Sequence, residues 1–262
     1  QAVEKHNRVR SRVMAQALEE AMGKSRRIYV MGHRGPDMDS FGACVGIARL
    51  AAAQDRESAV LLGRYGEAVR PFLDLLADRG RIRFLSPEDA MAEAGPEDMA
   101  VVVDTMRPGQ VLEPGLLGRC GRVAALDHHR KSADYIREAT LSLVEPYASS
   151  TCELVAEILY HAAAEVDLSP DEADTLFAGI HVDTKGFTTR TGVRTFEAAS
   201  FLRRKGADPD SVRRLMAEDL ETFNRIAEVV RSAVFKENGV VFARAADTDP
   251  GARLVAAKAA DR

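Results

Sequence analysis

The chain has 262 residues, enough for one large domain with flanking pieces and for a sizeable buried core. Hydrophobic residues make up 46% and charged residues 29%, and 36 basic against 40 acidic side chains leave a net charge of -4, an ordinary balance that argues against an electrostatic nucleic-acid binder. Cys44, Cys120 and Cys152 are far apart and form no Cys-x-x-Cys pair, so neither a zinc knuckle nor a disulfide framework is indicated, and a reducing cytoplasm fits best. No apolar run is long enough to cross a bilayer, and no basic-then-apolar leader is present. A chain that opens on Gln1 instead of Met reads as a fragment or processed form with its natural start upstream.

In chain order, residues 3–23 place Val9, Val13, Ala17 and Ala21 at helical spacing and close on Gly23. Residues 28–31 form a short apolar run ending in a Gly-His-Arg-Gly-Pro turn, and helical pattern returns over 40–53. Short strands are predicted over 59–62 and 81–85 with a helix around 71–76 between them. The runs 99–103 and 123–126 are unbroken apolar stretches that stop at Asp104 and Asp127, as buried parallel strands do. Helices are predicted over 152–164, 171–182 and 195–205, then a continuous helix over 211–236 and a strand over 239–243. This alternation predicts an α/β fold, a mainly parallel sheet covered by helices.

Ligands of open α/β sheets sit beyond the carboxyl ends of the strands, where this sequence places His33, Asp37, Asp39, Asp104, Asp127, His128 and His129, with Asp183 further along. Crowded aspartates raise one another's pKa unless cations neutralise them. Oxygen and imidazole donors without thiolate favour Mg or Mn, with Mn the better partner of a mixed set. Asp37, Asp39, Asp104 and Asp183 bring four negative charges, which two divalent ions cancel, leaving neutral His33 and His128 as further ligands. Each signal alone reads as a strand cap or a satisfied polar group; the set does not.

His-x-x-x-Asp-x-Asp at 33–39, Val-Val-Val-Asp at 101–104, Asp-His-His at 127–129 and Asp183, in this order, resemble the signature of the DHH phosphoesterases over roughly residues 25–205. The resemblance implies that His33, Asp37 and Asp104 hold one ion while Asp39, Asp104, His128 and Asp183 hold the other, with Asp104 bridging. It further implies two Mn2+ (or Mg2+) activating a water for attack on phosphorus. Asp127 would orient a ligand or its own loop, and His129 would meet the substrate phosphate or leaving oxygen. Ser150 and Glu153 have capping-box spacing, and in the resembled family this loop lies near substrate, which makes Ser149 and Ser150 candidates for a phosphate or sugar. Arg190 is a candidate phosphate partner.

The stretches 8–18, 30–40 and 195–203 are similar to the GdpP-type branch of that family, whose members hydrolyse cyclic di-AMP to pApA and carry membrane helices, a sensory domain and a degenerate cyclase-like domain upstream. The expected organisation is a leading helix and linker over 1–24, the DHH domain over 25–205, a helical linker over 206–236 and the start of an incomplete DHHA1 domain over 237–262, lacking its Gly-Gly-His type motif. Expected partners are a cyclic dinucleotide or short oligonucleotide, no duplex nucleic acid, and a second copy, since family members are often dimers. The chain is expected to be a cytoplasmic domain of a membrane-anchored parent. The alternatives are an oligoribonuclease or pAp-phosphatase type enzyme and a non-catalytic nucleotide-binding sensor.

Overall fold

A computed structural model describes residues 2–130, 132–217, 220–236, 240–245 and 252–260. In chain order the elements are α1 (Ala2–Gly23), β1 (Arg27–Met31), α2 (Met38–Ala53), β2 (Glu57–Leu61), α3 (Arg70–Arg79), β3 (Arg83–Leu85), α4 (Pro87–Glu93) and β4 (Met99–Val103). After a single 3-10 turn at Pro108–Gln110 come α5 (Gly115–Arg119), β5 (Arg122–Asp127), β6 (Leu141–Val144), α6 (Thr151–His161), α7 (Pro170–Asp183), α8 (Val193–Arg204) and α9 (Pro209–Leu215). The last are α10 (Leu220–Arg231), β7 (Val234–Phe235), β8 (Val241–Phe242) and α11 (Ala252–Ala260). The chain divides into two compact units, Gln1–Leu215 and Met216–Arg262. Among the described residues, no helix is long and apolar enough to cross a membrane.

The first unit is built on six parallel strands in the order β3-β2-β1-β4-β5-β6. Both faces are covered: Tyr29, Met31, Ala100, Val102 and Val123 pack with Leu116 and Leu117 of α5, while α2 lies on the opposite side against β1, β2 and β4. That is why the strands read as continuous apolar runs without alternation. From β1 the chain moves outward to β2 and β3, then returns to lay β4 on the other side of β1, so strand order reverses between β1 and β4. A crevice opens beyond the carboxyl ends of those two strands.

The rim of that crevice is set by three helices that approach closely. A Cβ on Gly42 of α2 would stand 2.7 Å from Cys152 Sγ and 2.8 Å from the Thr175 carbonyl oxygen. A Cβ on Gly179 of α7 would stand 3.0 Å from both Asp39 Cα and Met38 O, and 2.4 Å from Cys152 Sγ. Missing side chains thus let α2, α6 and α7 meet at one point. The start of α7 is fixed by a capping box between Ser169 and Glu172, with Pro170 in the first turn.

Three sequence expectations need correction. The buried stripe of α1 runs through Ser11, Met14, Ala15, Leu18, Glu19 and Met22, whereas Val9 and Val13 are 60% and 58% exposed. The polar members of that stripe are satisfied: Ser11 donates to Glu157, and Glu19 accepts the N–H groups of Ala163 and Ala164. An apolar count alone therefore chose the wrong phase. Strand β6 was not foreseen, because four residues with one serine carry little pattern; β5 supplies its register, with Ala124 opposite Leu141.

The helix expected over 211–236 is broken into α9 and α10, and its end becomes strand β7, antiparallel to β8. In the second unit α10 and α11 enclose Ile226, Val229 and Val255. Of the strand expected over 239–243, Val241 and Phe242 are strand, and position 239 lies outside the described residues, as do 246–251 and 261–262 of the expected DHHA1 start.

Gly179→Ala should lower the unfolding free energy by about 1–3 kcal/mol through overpacking against the α2 backbone. A urea midpoint unchanged from the parent chain would show that α7 can withdraw without cost.

Candidate metal centre

Where β1 ends, the chain must turn out of the sheet, and Gly32 permits it: a Cβ there would stand 1.8 Å from Ser40 Oγ. The loop is held by Leu112 N–H donating to Gly32 O at 3.0 Å and Arg34 N–H donating to Gln110 O at 2.8 Å. Asp37 then caps α2, its carboxylate accepting Ser40 N–H at 3.0 Å. This places His33 Nε2 3.8 Å from Asp37 Oδ1 and 3.5 Å from Asp104 Oδ2. His33 Nδ1 lies 3.1 Å from the Arg34 carbonyl oxygen, which only an N–H can satisfy, so in the neutral ring Nε2 carries the lone pair toward both carboxylates.

Asp39, in the first turn of α2, is 1% exposed. Its two carboxylate oxygens each accept a backbone N–H from the first turn of α6, Thr151 and Cys152, both at 2.7 Å. Asp104 follows the last residue of β4 and adopts φ +62°, a left-handed conformation that costs a non-glycine residue and is kept because neighbours over-determine it. Its N–H donates to Leu126 O at 2.8 Å, and its Oδ1 accepts the Thr151 hydroxyl at 2.9 Å.

From the next strand, β5, Asp127 accepts both the His129 N–H at 3.0 Å and the His129 Nδ1 proton at 2.8 Å. Buried His128 has Nε2 3.3 Å from Asp183 Oδ2, 3.6 Å from Asp104 Oδ1 and 3.8 Å from Asp39 Oδ2. Asp183 is the last residue of α7. Its chain then turns through Lys185, Gly186, Phe187 and Arg190, all at positive φ.

Electrostatics mark the same cluster. Burial, and then Asp104 and Asp183, push the Asp39 carboxyl well above its ordinary range. Burial followed by Asp37 and Asp104 raises Asp183 to about 7. Hydrogen bonding to Asp104 and then Asp37 draws His33 up to about 10, against the opposing effect of burial. Crowding these carboxylates out of water is therefore costly, and divalent cations would relieve it.

The donor set fits divalent cations. Donor atoms of His33, Asp37 and Asp104 lie within 4.8 Å of one another, as do those of Asp39, His128 and Asp183, and those of Asp104, His128 and His129. An ion with bonds of about 2.1 Å needs adjacent donors about 3 Å apart, close to the 3.3–3.8 Å found here. Asp104 belongs to two groups, with Oδ2 toward His33 and Oδ1 toward His128. The geometry brings together every residue of the expected ligand set.

The expected substrate contacts lie differently. Ser149 and Ser150 are buried; Ser149 Oγ donates to Glu153 at 2.6 Å, and Ser150 Oγ caps α6 by accepting Glu153 N–H at 3.0 Å. Both hydroxyls are therefore engaged inside the fold. Arg190 is exposed, near enough to Asp183 to counter part of the rise in its pKa. The cavity beside the cluster, about 420 Å³, is lined by His33, Asp104 and His129 together with Arg34, Arg107 and Arg130. Those three arginines went unremarked in the sequence, although each follows a strand end by a few residues. Thr151 was missed as well, being one residue past the serines that drew attention.

A crevice at the strand-order switch, with acidic and imidazole donors delivered by successive strand ends, defines a DHH-type domain. The profile described as "DHH family, N-terminal domain" matches residues 27–180, and the chain belongs to that family. Among individual relatives, it is 37% identical over 245 residues to the cyclic-di-AMP phosphodiesterase GdpP of Bacillus subtilis, covering 92% of this chain and 37% of that protein. It is 37% identical over 263 residues to the cyclic-di-AMP phosphodiesterase PdeA of Listeria monocytogenes, covering 99% of this chain and 40% of that protein. The chain thus spans about two fifths of the length of these curated relatives. In fold it is similar to an exopolyphosphatase-related protein of Bacteroides fragilis, with a TM-score of 0.74 and 20% identity over 86% of this chain and 66% of that one.

If two of these donor groups each hold a divalent ion, Asp104→Ala should reduce metal uptake at both together, whereas Asp183→Ala should loosen mainly one. Metal analysis after gel filtration, finding two ions retained in the first variant, would refute the shared role of Asp104.

Proposed function

We propose that this chain carries the hydrolytic half of a phosphodiesterase that opens cyclic di-AMP to pApA with two Mn2+ ions. The observation that carries the reading is the Asp104 carboxylate, whose two oxygens face two different donor groups. A carboxylate so placed is suited to be shared between paired ions. His33 and Asp37 would complete one site, and Asp39, His128 and Asp183 the other. Two divalent ions, when bound, supply an activated water at neutral pH and polarise the phosphoryl oxygens of an in-line displacement.

The remaining residues prepare the ground. Asp127 holds His129 Nδ1 at 2.8 Å, fixing the ring and leaving Nε2 as the nitrogen that can meet a phosphate oxygen or pass a proton to the leaving oxygen. Arg34, Arg107 and Arg130 line a cavity wide enough for a nucleotide phosphate and offer planar donors suited to it. Ser149, Ser150 and Thr195 share Glu153 and keep the first turn of α6 in place behind the cluster. Arg190, on the loop after α7, is the remaining candidate for an outer phosphate. The choice of cyclic di-AMP among phosphoesters rests on the two relatives named as its phosphodiesterases.

Incubating the chain extended to the length of those relatives with Mn2+ and cyclic di-AMP should yield pApA on chromatography, and the 262-residue chain much less of it. EDTA should abolish the product, and His129→Ala should lower turnover by about 100-fold or more. Intact cyclic dinucleotide beside cleaved pApA would favour an oligoribonuclease instead, and tight binding without cleavage would favour a sensor.

A further inference from the structure

We propose that Thr151 is a positioning residue of the metal centre, its hydroxyl fixing which way the Asp104 carboxylate faces. The proposal rests on the two-ion reading of the site. Thr151 is the first residue of α6 and is fully buried. Its backbone N–H is given to Asp39 Oδ2 at 2.7 Å and its hydroxyl to Asp104 Oδ1 at 2.9 Å, so one residue grips two of the three acidic groups that approach His128. The cap of the helix is a different residue, Ser150, whose side chain accepts Glu153 N–H. The Thr151 hydroxyl is therefore not spent on helix capping.

The need for such a grip follows from Asp104 itself. A carboxylate that serves two ions must present each oxygen to its own side, yet rotation about its terminal torsion is broad and nearly two-fold. At φ +62° the residue sits just past its strand, its N–H bonded to Leu126 O, a bond that fixes the backbone and not the terminal torsion of the side chain. An ionised carboxylate only accepts, so a buried hydroxyl 2.9 Å from Oδ1 donates to that oxygen and leaves its other lone pair toward His128, 3.6 Å away. Oδ2 is then left for His33, 3.5 Å away. Partners that orient ligands from behind typically carry about 10–100-fold in metal affinity.

The test compares Thr151→Val, which keeps the shape and the N–H but loses the hydroxyl, with Thr151→Ser, which keeps the hydroxyl. In the 262-residue chain, Mn2+ titration calorimetry should show two ions in the parent and affinity weaker by about 10–100-fold in Thr151→Val. The larger loss should fall on the ion shared by Asp39, His128 and Asp183, and Thr151→Ser should restore most of it. Paramagnetic resonance of Mn2+ should show coupled ion pairs in the parent and the serine variant, and mostly isolated ions in the valine variant at equal loading. Circular dichroism and the urea midpoint establish that the variants are folded. If Thr151→Val fails to fold, Thr151→Ala takes its place with the same expectation. A folded variant without the hydroxyl that binds both ions as tightly as the parent overturns the positioning role alone. A parent chain that takes up fewer than two ions overturns the two-ion reading and this proposal with it.

Discussion

Holding several carboxylates together out of water is the constraint around which this domain is organised. Like charges about 4 Å apart repel by about 4 kcal/mol at an effective dielectric of about 20, and Asp39 and Asp104 are both almost fully buried. Part of the compensation is built into the fold. The start of α6 donates two backbone N–H groups to Asp39, and a helix N-terminus carries roughly half a positive charge. Burial and the neighbouring carboxylates outweigh that help, and the carboxyls of Asp39 and Asp183 stay hard to ionise, a cost that divalent cations would relieve.

The packing of α2, α6 and α7 serves that requirement. Asp39 can reach the first turn of α6 only because Gly42 and Gly179 remove side chains where the helices meet, and Cys152 fills the space between them. The far side of α6 is tied down by charge. Glu157 accepts two bonds from Arg194 of α8 at 2.6 Å and one from Ser11 of α1 at 2.6 Å, while Arg10 of α1 pairs with buried Glu145. Buried ion pairs are poor sources of net stability, but they make a wrong packing costly. A helix fixed on both sides holds its terminal donors still against Asp39.

Much of this was legible beforehand. Apolar runs ending in Asp or His announced the strand ends, and the order of motifs placed His33, Asp37, Asp39, Asp104, His128 and Asp183 in one expected ligand set, whose donor atoms the fold brings within 4.8 Å of one another in groups of three. Where the reading failed, local pattern was overruled by contacts distant in sequence. Val9 and Val13 matched a helical stripe, yet α1 buries Ser11 and Glu19 in its seam because Glu157, Ala163 and Ala164 satisfy them. The four residues of β6 became strand only by pairing with β5.

The sequence by itself determined the parallel α/β architecture and which acidic and imidazole groups the site contains, since buried strands must be apolar throughout and the polar residues that end them stand out against that pattern. Only the tertiary structure decided how those donors fall into groups, that Asp104 belongs to two of them, and that Thr151 touches Asp104 while Ser149 and Ser150 turn inward. These are facts of direction and distance between residues far apart in the chain, such as 104 and 151. No local pattern encodes them, because they arise only when α6 is set down against the ends of β4 and α2.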